Sequence, residues 1–304
     1  MRVAVTGATG MLGRALVAEL LDRGDEVVAL SRDAERAGAA LPDGVETAEW
    51  RAPSDEPAPA EALSGADGVV HLLGETVAQR WTERARREIR ESRVAGTRNL
   101  VAGLRAAQPR PRVLVSQSGS GYYGARGDEP VDESGPAGDD FLAAVVEDWE
   151  AEARKAEELG LRVVTTRTGV VLSEGGGALE KMLPPFKLGV GGPVAGGRQY
   201  VPWAHADDVA GAQLLCLDTA AASGPVNVAA PEPVTNRELS KALGRVLGRP
   251  AVAPVPALAL KLLYGEMALI VTTGVRMVPR RLTELGYEFR RPDLEEALRA
   301  ATGS

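Results

Sequence analysis

The sequence predicts an α/β chain, a doubly wound parallel sheet followed by a smaller C-terminal domain, and three observations carry that expectation. First, the chain opens as strand, glycine turn and helix: Val3-Ala4-Val5 runs into Thr6-Gly7-Ala8-Thr9-Gly10-Met11-Leu12-Gly13 and then Arg14 to Leu21. Second, apolar strand candidates alternate with helical stretches through the first half, the pattern of a parallel sheet covered on both faces. Third, the texture changes beyond Arg167, where Gly175-Gly176-Gly177, Pro184-Pro185 and the glycines from Gly189 to Gly197 indicate loops.

Taken in order, the strand candidates are Val3–Thr6, Glu26–Leu30, Val45–Trp50, Gly68–Leu72, Arg112–Ser116 and Arg162–Thr166. Helices are expected near Met11–Arg23, over about Thr82–Ala107, and around Phe141–Leu159, where Gly160 stops the chain. Right-handed crossovers between successive parallel strands make the sheet doubly wound. The Pro-rich, acidic stretch Pro53–Pro59 reads as a surface connection. These signals divide the chain into a dinucleotide-binding domain over 1–170, with a return to the sheet near 205–230 through Gly224–Val228, and a mainly helical and loop substrate domain over 171–304.

Composition bounds the function. The 304 residues carry a net charge of -7, which gives no broad footprint for nucleic acid, and the Arg84-Ala85-Arg86-Arg87 and Arg280-Arg281 clusters read as solvated helix faces. No apolar run is long enough to span a bilayer, and the chain enters its first strand without a cleavable signal, so a cytoplasmic protein is expected. One cysteine, Cys216, excludes an internal disulfide, and two histidines, His71 and His205, leave little for a metal site. The expected partners are a small-molecule substrate, with no nucleic acid and no membrane, in a monomer or homodimer.

The glycine turn points to a nucleotide. A tight turn lets a pyrophosphate approach the backbone, and the following helix N-terminus offers unpaired N–H groups and a positive dipole end. Gly7, Thr9, Gly10, Met11, Leu12 and Gly13 form the expected cradle. At the end of the second strand, where an acid often holds the adenosine ribose, Ser31-Arg32 precede Asp33. Ser31 can donate to a ribose phosphate and Arg32 can clamp it, which favours NADP(H) over NAD(H). Asp33 dissents, since one step of register gives it the NAD role, and Arg32 as a solvated loop cation is the plainer alternative. The fourth strand leaves through Leu72-Leu73-Gly74-Glu75, where backbone passes close to a cofactor. His71 reads as a packed strand histidine. The fifth strand carries Ser116 and Ser118 and leads into Gly119-Ser120-Gly121-Tyr122-Tyr123-Gly124, at the edge where open α/β sheets bind ligands.

These motifs resemble an extended short-chain dehydrogenase/reductase with a Rossmann fold, of the NAD-dependent epimerase/dehydratase superfamily. Arg80-Trp81-Thr82, Ser92-Arg93-Val94, Arg167-x-Gly169-Val170-Val171-Leu172-Ser173 and Lys181 to Phe186 are similar to its atypical epimerase-family branch. Trp203-x-His205-x-Asp207-Asp208, Pro233 to Asn236 and Gly265 to Ala268 extend the resemblance into that branch's own C-terminal domain. The resemblance implies a Tyr-x-x-x-Lys pair on the helix after the serine strand, in which lysine lowers the tyrosine pKa and holds the ribose while tyrosine moves the proton. Here that helix reads Phe141 to Glu150 with neither residue, and Arg93 stands where asparagine is expected before Val94-Ala95-Gly96-Thr97.

Three readings follow. Tyr122 or Tyr123 supplies the phenol, Ser118 polarises the substrate oxygen, and Arg93 or Arg167 replaces the lysine charge, giving an NADP(H)-binding oxidoreductase or epimerase-like enzyme. Alternatively the chain is a non-catalytic dinucleotide-binding regulatory or interaction protein. In the third, Tyr123 only packs in a turn before Gly124. Arg198, in a glycine-rich stretch, can grip a substrate anion or face solvent. Asp207-Asp208 suit helix capping, and Pro256 to Leu263 reads as core packing or a dimer surface.

Overall fold

The computed structural model describes residues 1–303. Its elements run β1 (Arg2–Thr6), α1 (Met11–Asp22), β2 (Glu26–Ser31), α2 (Ala34–Ala40), β3 (Glu46–Glu49), α3 (Ala60–Leu63), β4 (Gly68–His71), α4 (Glu83–Ala106) and β5 (Val113–Gly119). Then come β6 (Pro130–Val131), α5 (Phe141–Arg154), β7 (Arg162–Thr168), β8 (Val170–Leu172), α6 (Gly177–Lys187), β9 (Tyr200–Val201), β10 (Trp203–His205), α7 (Ala206–Asp218) and β11 (Gly224–Val228). The chain closes with β12 (Val234–Thr235), α8 (Asn236–Val246), α9 (Ala257–Tyr264), α10 (Ala268–Thr272), β13 (Arg276–Met277), α11 (Arg280–Glu284) and α12 (Leu294–Thr302).

Seven parallel strands form one sheet in the order β3-β2-β1-β4-β5-β7-β11. Side chains alternate across it with the two-residue period of a strand. Val3, Val5, Val113 and Val115 point to one face with Leu16, Val17 and Leu20 of α1 and Val209 and Ala212 of α7. Ala4 and Leu114 point to the other, with Leu63 of α3, Leu100 and Leu104 of α4 and Ala153 of α5. Helices on both faces of a parallel sheet are what near-continuous apolar strands require. A further cluster, including Leu172, Phe186, Trp203, Leu239 and Leu298, joins α6, α8 and α12.

Caps explain the helix starts. Thr82 accepts from the Ala85 N–H ahead of α4, and Asp140 accepts from Ala143 ahead of α5. α5 tightens into a 3-10 turn over Lys155–Leu159, and Gly160 ends it at φ 86°. β5 and β7 each continue past the expected ends, pairing out to Gly119 and Thr168. The segment after residue 170 is not free of strands: β8–β10, β9–β12 and β6–β13 are three small two-stranded sheets.

Two sequence expectations change here. Asp207 and Asp208 do not cap α7; His205 does, accepting the Asp207 N–H at Nδ1, 3.2 Å away. Asp208 is buried and receives the backbone N–H groups of Arg290 and Arg291 together with the Tyr287 hydroxyl, which ties the C-terminal segment to α7. Nor is Pro256 to Leu263 core, since α9 contributes no buried residue and Leu258, Leu262 and Leu263 are exposed. Within the basic cluster, Arg86 is not simply solvated: it pairs with Glu266 and lies over the Phe141 ring. Among the described residues, no helix is long and apolar enough to cross a membrane.

Candidate functional site

At the carboxyl end of β1, three glycines do three different things. Gly7 has φ 68°, and a Cβ there would stand 2.9 Å from the Leu72 carbonyl oxygen. Gly13 is buried, and a Cβ on it would come within 2.2 Å of the Gly7 carbonyl, so only glycine lets α1 pack on the turn. Gly10 is exposed at the α1 N-cap, where no side chain caps the helix and no acid occupies the first turn. The first N–H groups of α1, at Met11, Leu12 and Gly13, thus have no side-chain cap at the positive end of the helix. Thr9, alongside, accepts from Arg14 through its carbonyl.

The end of β2 separates Arg32 from Asp33. The Asp33 carboxylate caps α2 by accepting the Arg36 N–H at 2.9 Å. Arg32 is exposed, and neither it nor Arg36 forms an ion pair among the described residues. Arg36 was not singled out from the sequence; its place one helical turn after Arg32 is the signal that identifies it. Ser31 ends β2 with its hydroxyl near the Asp33 N–H.

Past β4 the chain leaves through Leu72 and Leu73, whose side chains pack into opposite apolar clusters, and reaches exposed Gly74. Ser92 and Arg93 of α4 fix the next residue: the Ser92 hydroxyl accepts the Glu75 N–H, and Arg93 Nη1 donates to the Glu75 carbonyl at 2.8 Å. His71, beneath them, is fully buried between the hydroxyls of Thr6 and Thr97, and burial pushes its pKa down to about 3.

Beyond the end of β5 a second set of residues is locked together. Ser118 is 2% exposed, and its hydroxyl donates to Glu150 Oε1 at 2.6 Å. Glu150, on α5, also receives Arg167 of β7 through Nε and Nη2, both at 2.8 Å. Tyr123 is fully buried; its hydroxyl donates to Asn227 of β11 at 2.7 Å and accepts from Arg167 at 3.1 Å. Burial pushes the Tyr123 phenol up to about 12 against the pull of Arg167. Burial also opposes the Arg167 charge, but the hydrogen bonds and charge of Glu150 outweigh it and raise the guanidinium above its usual range.

This network takes up several of the side chains expected at the site. The Ser118 hydroxyl donates to a buried carboxylate. Tyr123 packs in the turn before Gly124 with its hydroxyl in the interior. Arg167 is 3% exposed and pairs with Glu150. Ser116 lies inside β5, paired in register with His71 and Thr165 and 1% exposed.

What stays open at this edge is Ser120 and Tyr122. Both are partly exposed, and neither hydroxyl makes a hydrogen bond among the described residues. The Tyr122 ring stacks on Arg167, with Cζ 3.4 Å from its centroid. Ser120 was missed from sequence. The alternation Ser116, Ser118, Ser120 was the available signal, because only the last stands beyond the final sheet pair Gly119–Thr168. Cys216 is buried, its thiol pushed up to about 12 by desolvation, and Arg198 is exposed without an ion pair among the described residues.

A family model described as the NAD dependent epimerase/dehydratase family matches residues 3–229, three quarters of the chain. The chain belongs to that family. A second model, a domain of unknown function termed DUF1731, matches residues 255–301. Family members of similar sequence include a chloroplastic Arabidopsis thaliana protein named as an SDR39U1 homolog, 38% identical over 99% of this chain and 86% of its own length. The mouse epimerase family protein SDR39U1 is 37% identical over 98% of this chain and 99% of that one. Among solved structures, human SDR39U1 with NADPH superposes with a TM-score of 0.88 at 34% identity, covering 100% and 99% of the two chains. MoeE5 in complex with UDP-glucose and NAD, at 23% identity and TM-score 0.78 over 99% and 97%, shares the fold.

Proposed function

We propose that this chain is an NADP(H)-binding oxidoreductase or epimerase-like enzyme for a small polar substrate, working without a Tyr-x-x-x-Lys pair. One observation carries the cofactor reading: Asp33 is occupied as a helix cap while Arg32 and Arg36, beside it, have no ion pair among the described residues. A carboxylate that would hold a bare ribose is thereby diverted, and two cations stand ready for a 2′-phosphate. The uncapped α1 N-terminus with exposed Gly10 fits the pyrophosphate. The human relative crystallised with NADPH supports the same choice.

In this reading residues 1–170, with β11, hold the dinucleotide and the remainder of 171–304 closes on the substrate. The bound nicotinamide supplies the hydride chemistry. Around it, Gly7 to Gly13 position the pyrophosphate, Ser31, Arg32 and Arg36 hold the adenosine phosphate, and Leu72 to Glu75 give backbone contact. Tyr122 is the phenol placed to move a proton, held in plane by Arg167, and Ser120 is the hydroxyl left to polarise a substrate oxygen. Parallel calorimetric titration with NADPH and NADH at one ionic strength tests the reading; selective NADPH binding is expected, and no binding of either would sink it.

The second reading, a dinucleotide-binding regulatory protein without turnover, draws on the commitment of Ser118 and Tyr123 to Glu150 and Asn227. Hydride exchange between NADPH and any carbonyl or sugar nucleotide would remove this second reading. A detected hydride transfer that survives Y122F unchanged removes the catalytic assignment of Tyr122.

A further inference from the structure

One stretch of the chain leaves in water the side chains that the rest of it buries. Among the described residues, every large apolar side chain left exposed, apart from Met1, lies between residues 188 and 271. Leu188, Val252, Leu258, Leu262 and Leu263 are each at least 65% exposed. The same stretch is locally basic. Residues 181–200 carry Lys181, Lys187 and Arg198, residues 239–265 carry Lys241, Arg245, Arg249 and Lys261, and neither segment has an acid, in a chain of net charge -7. The fold joins the two segments. Val194 and Val255 form a bridge, the Ala253 N–H donates to the Gly191 carbonyl, and Val252 borders one groove with Lys241, Arg245 and Arg249. Arg245 pairs with Glu295, whereas Lys187, Lys241, Arg249 and Lys261 make no ion pair among the described residues.

Shape and charge decide what this face can meet. α9 starts just past the Val194–Val255 bridge and buries none of its residues, so its leucines offer no enclosure to a small molecule. A second copy docking on itself here would set these cations against their own images. Unpaired cations beside exposed leucines match a surface that is anionic in its headgroups and apolar beneath them. We propose that the face formed by residues 187–190, the cations of α8, residues 249–252 and α9 docks on an anionic lipid bilayer, with the α9 leucines entering the headgroup boundary. Docking in the interface needs no spanning helix. α9 supplies only Lys261, and the fold brings the other cations from segments distant in sequence. Their long stems lie along apolar surface while the charged heads meet lipid phosphates. The proposal stands apart from the dinucleotide reading.

The test is sedimentation of the full chain with phosphatidylcholine vesicles and with equal mixtures of phosphatidylcholine and phosphatidylglycerol. Binding to the mixed vesicles is expected, with far weaker binding to the neutral ones and release as salt is raised. Leu262→Ser should lower partitioning about tenfold or more, because a leucine that lipid would cover is gone. Arg249→Gln should lower it about fivefold, the share of one cation near an anionic surface. Arg51→Gln, which removes a 76% exposed cation just after the edge strand β3, should leave it unchanged. Leu262 and Arg249 are both exposed, so denaturant melts matching the parent are expected and show that the variants fold. A folded parent that does not sediment with the mixed vesicles overturns the proposal. So do equal losses from all three substitutions, or partitioning that Leu262→Ser and Arg249→Gln leave unchanged. If the parent instead stays in solution as a dimer that Leu262→Ser dissociates, the face belongs to a second copy and the lipid assignment falls.

Discussion

Two regions at the same sheet edge handle polar groups in opposite ways. Around β1, β2 and β4, the α1 N-terminus has no side-chain cap, and among the described residues Arg32 and Arg36 make no ion pair and one edge of Arg93 makes no hydrogen bond. Around β5, β7 and β11, Ser118, Glu150, Arg167, Tyr123 and Asn227 satisfy one another in the interior. Buried polar groups that are fully paired fix a structure, whereas unpaired donors at an accessible edge are available to a ligand. The contrast sorts the residues by accessibility and partner, which residue type alone does not do. Serine and arginine occur in both regions.

Breaking the buried network should have the largest effect. Replacing Arg167 with Met leaves the buried Glu150 carboxylate only the Ser118 hydroxyl and the more distant Arg154, 3.8 Å away, and a loss of about 3 kcal/mol in unfolding free energy is expected. Adding Glu150→Gln should restore part of it. Denaturant melts within about 1 kcal/mol of the parent for the single variant would contradict the structural role.

His71 sharpens the same side of the comparison through pH. Its folded pKa is about 3 against an ordinary 6.5, so between those values the unfolded chain binds a proton that the folded chain refuses. Stability therefore falls as pH drops through that window, by about 1.4 kcal/mol per unit from this group. Chemical melts of the parent and His71→Gln at pH 7 and pH 5 should show the cost of the substitution shrinking by about 2 kcal/mol in acid. A constant cost would mean that His71 does not stay neutral in the fold.

The open side should respond in affinity and not in stability. Arg32→Ala is expected to weaken NADPH about tenfold, ~1.4 kcal/mol, with NADH affected far less and the melting curve unchanged. Equal loss of both cofactors would count against a 2′-phosphate contact. Smallest is Asp33→Ala, which removes the α2 cap for about 1 kcal/mol of stability and leaves NADH affinity as it was. A marked fall in NADH affinity would return Asp33 to the ribose.

The legible part of the molecule was local. Met11–Asp22, the Thr82 start of α4 and the Gly160 stop follow from capping, glycine and periodicity within a few residues of each position. The strand, glycine turn and helix that open the chain were legible for the same reason, since Gly7, Gly10 and Gly13 lie in one turn. Asp208 was not, because its partners Tyr287, Arg290 and Arg291 come from far along the chain. For α9 the sequence left core packing and a dimer surface open, and the structure removes the first, because an apolar helical stretch looks the same whether it is buried or exposed.

By itself, then, the sequence determined the α/β class, the strand–turn–helix cradle and the absence of a Tyr-x-x-x-Lys pair, because each is written in residues that are neighbours in the chain. The tertiary structure alone decided which hydroxyls and cations are committed. Ser118 meets Glu150 across 32 positions and Tyr123 meets Asn227 across 104. A side chain's freedom to do chemistry depends on what packs against it, and packing brings together residues that no local pattern connects.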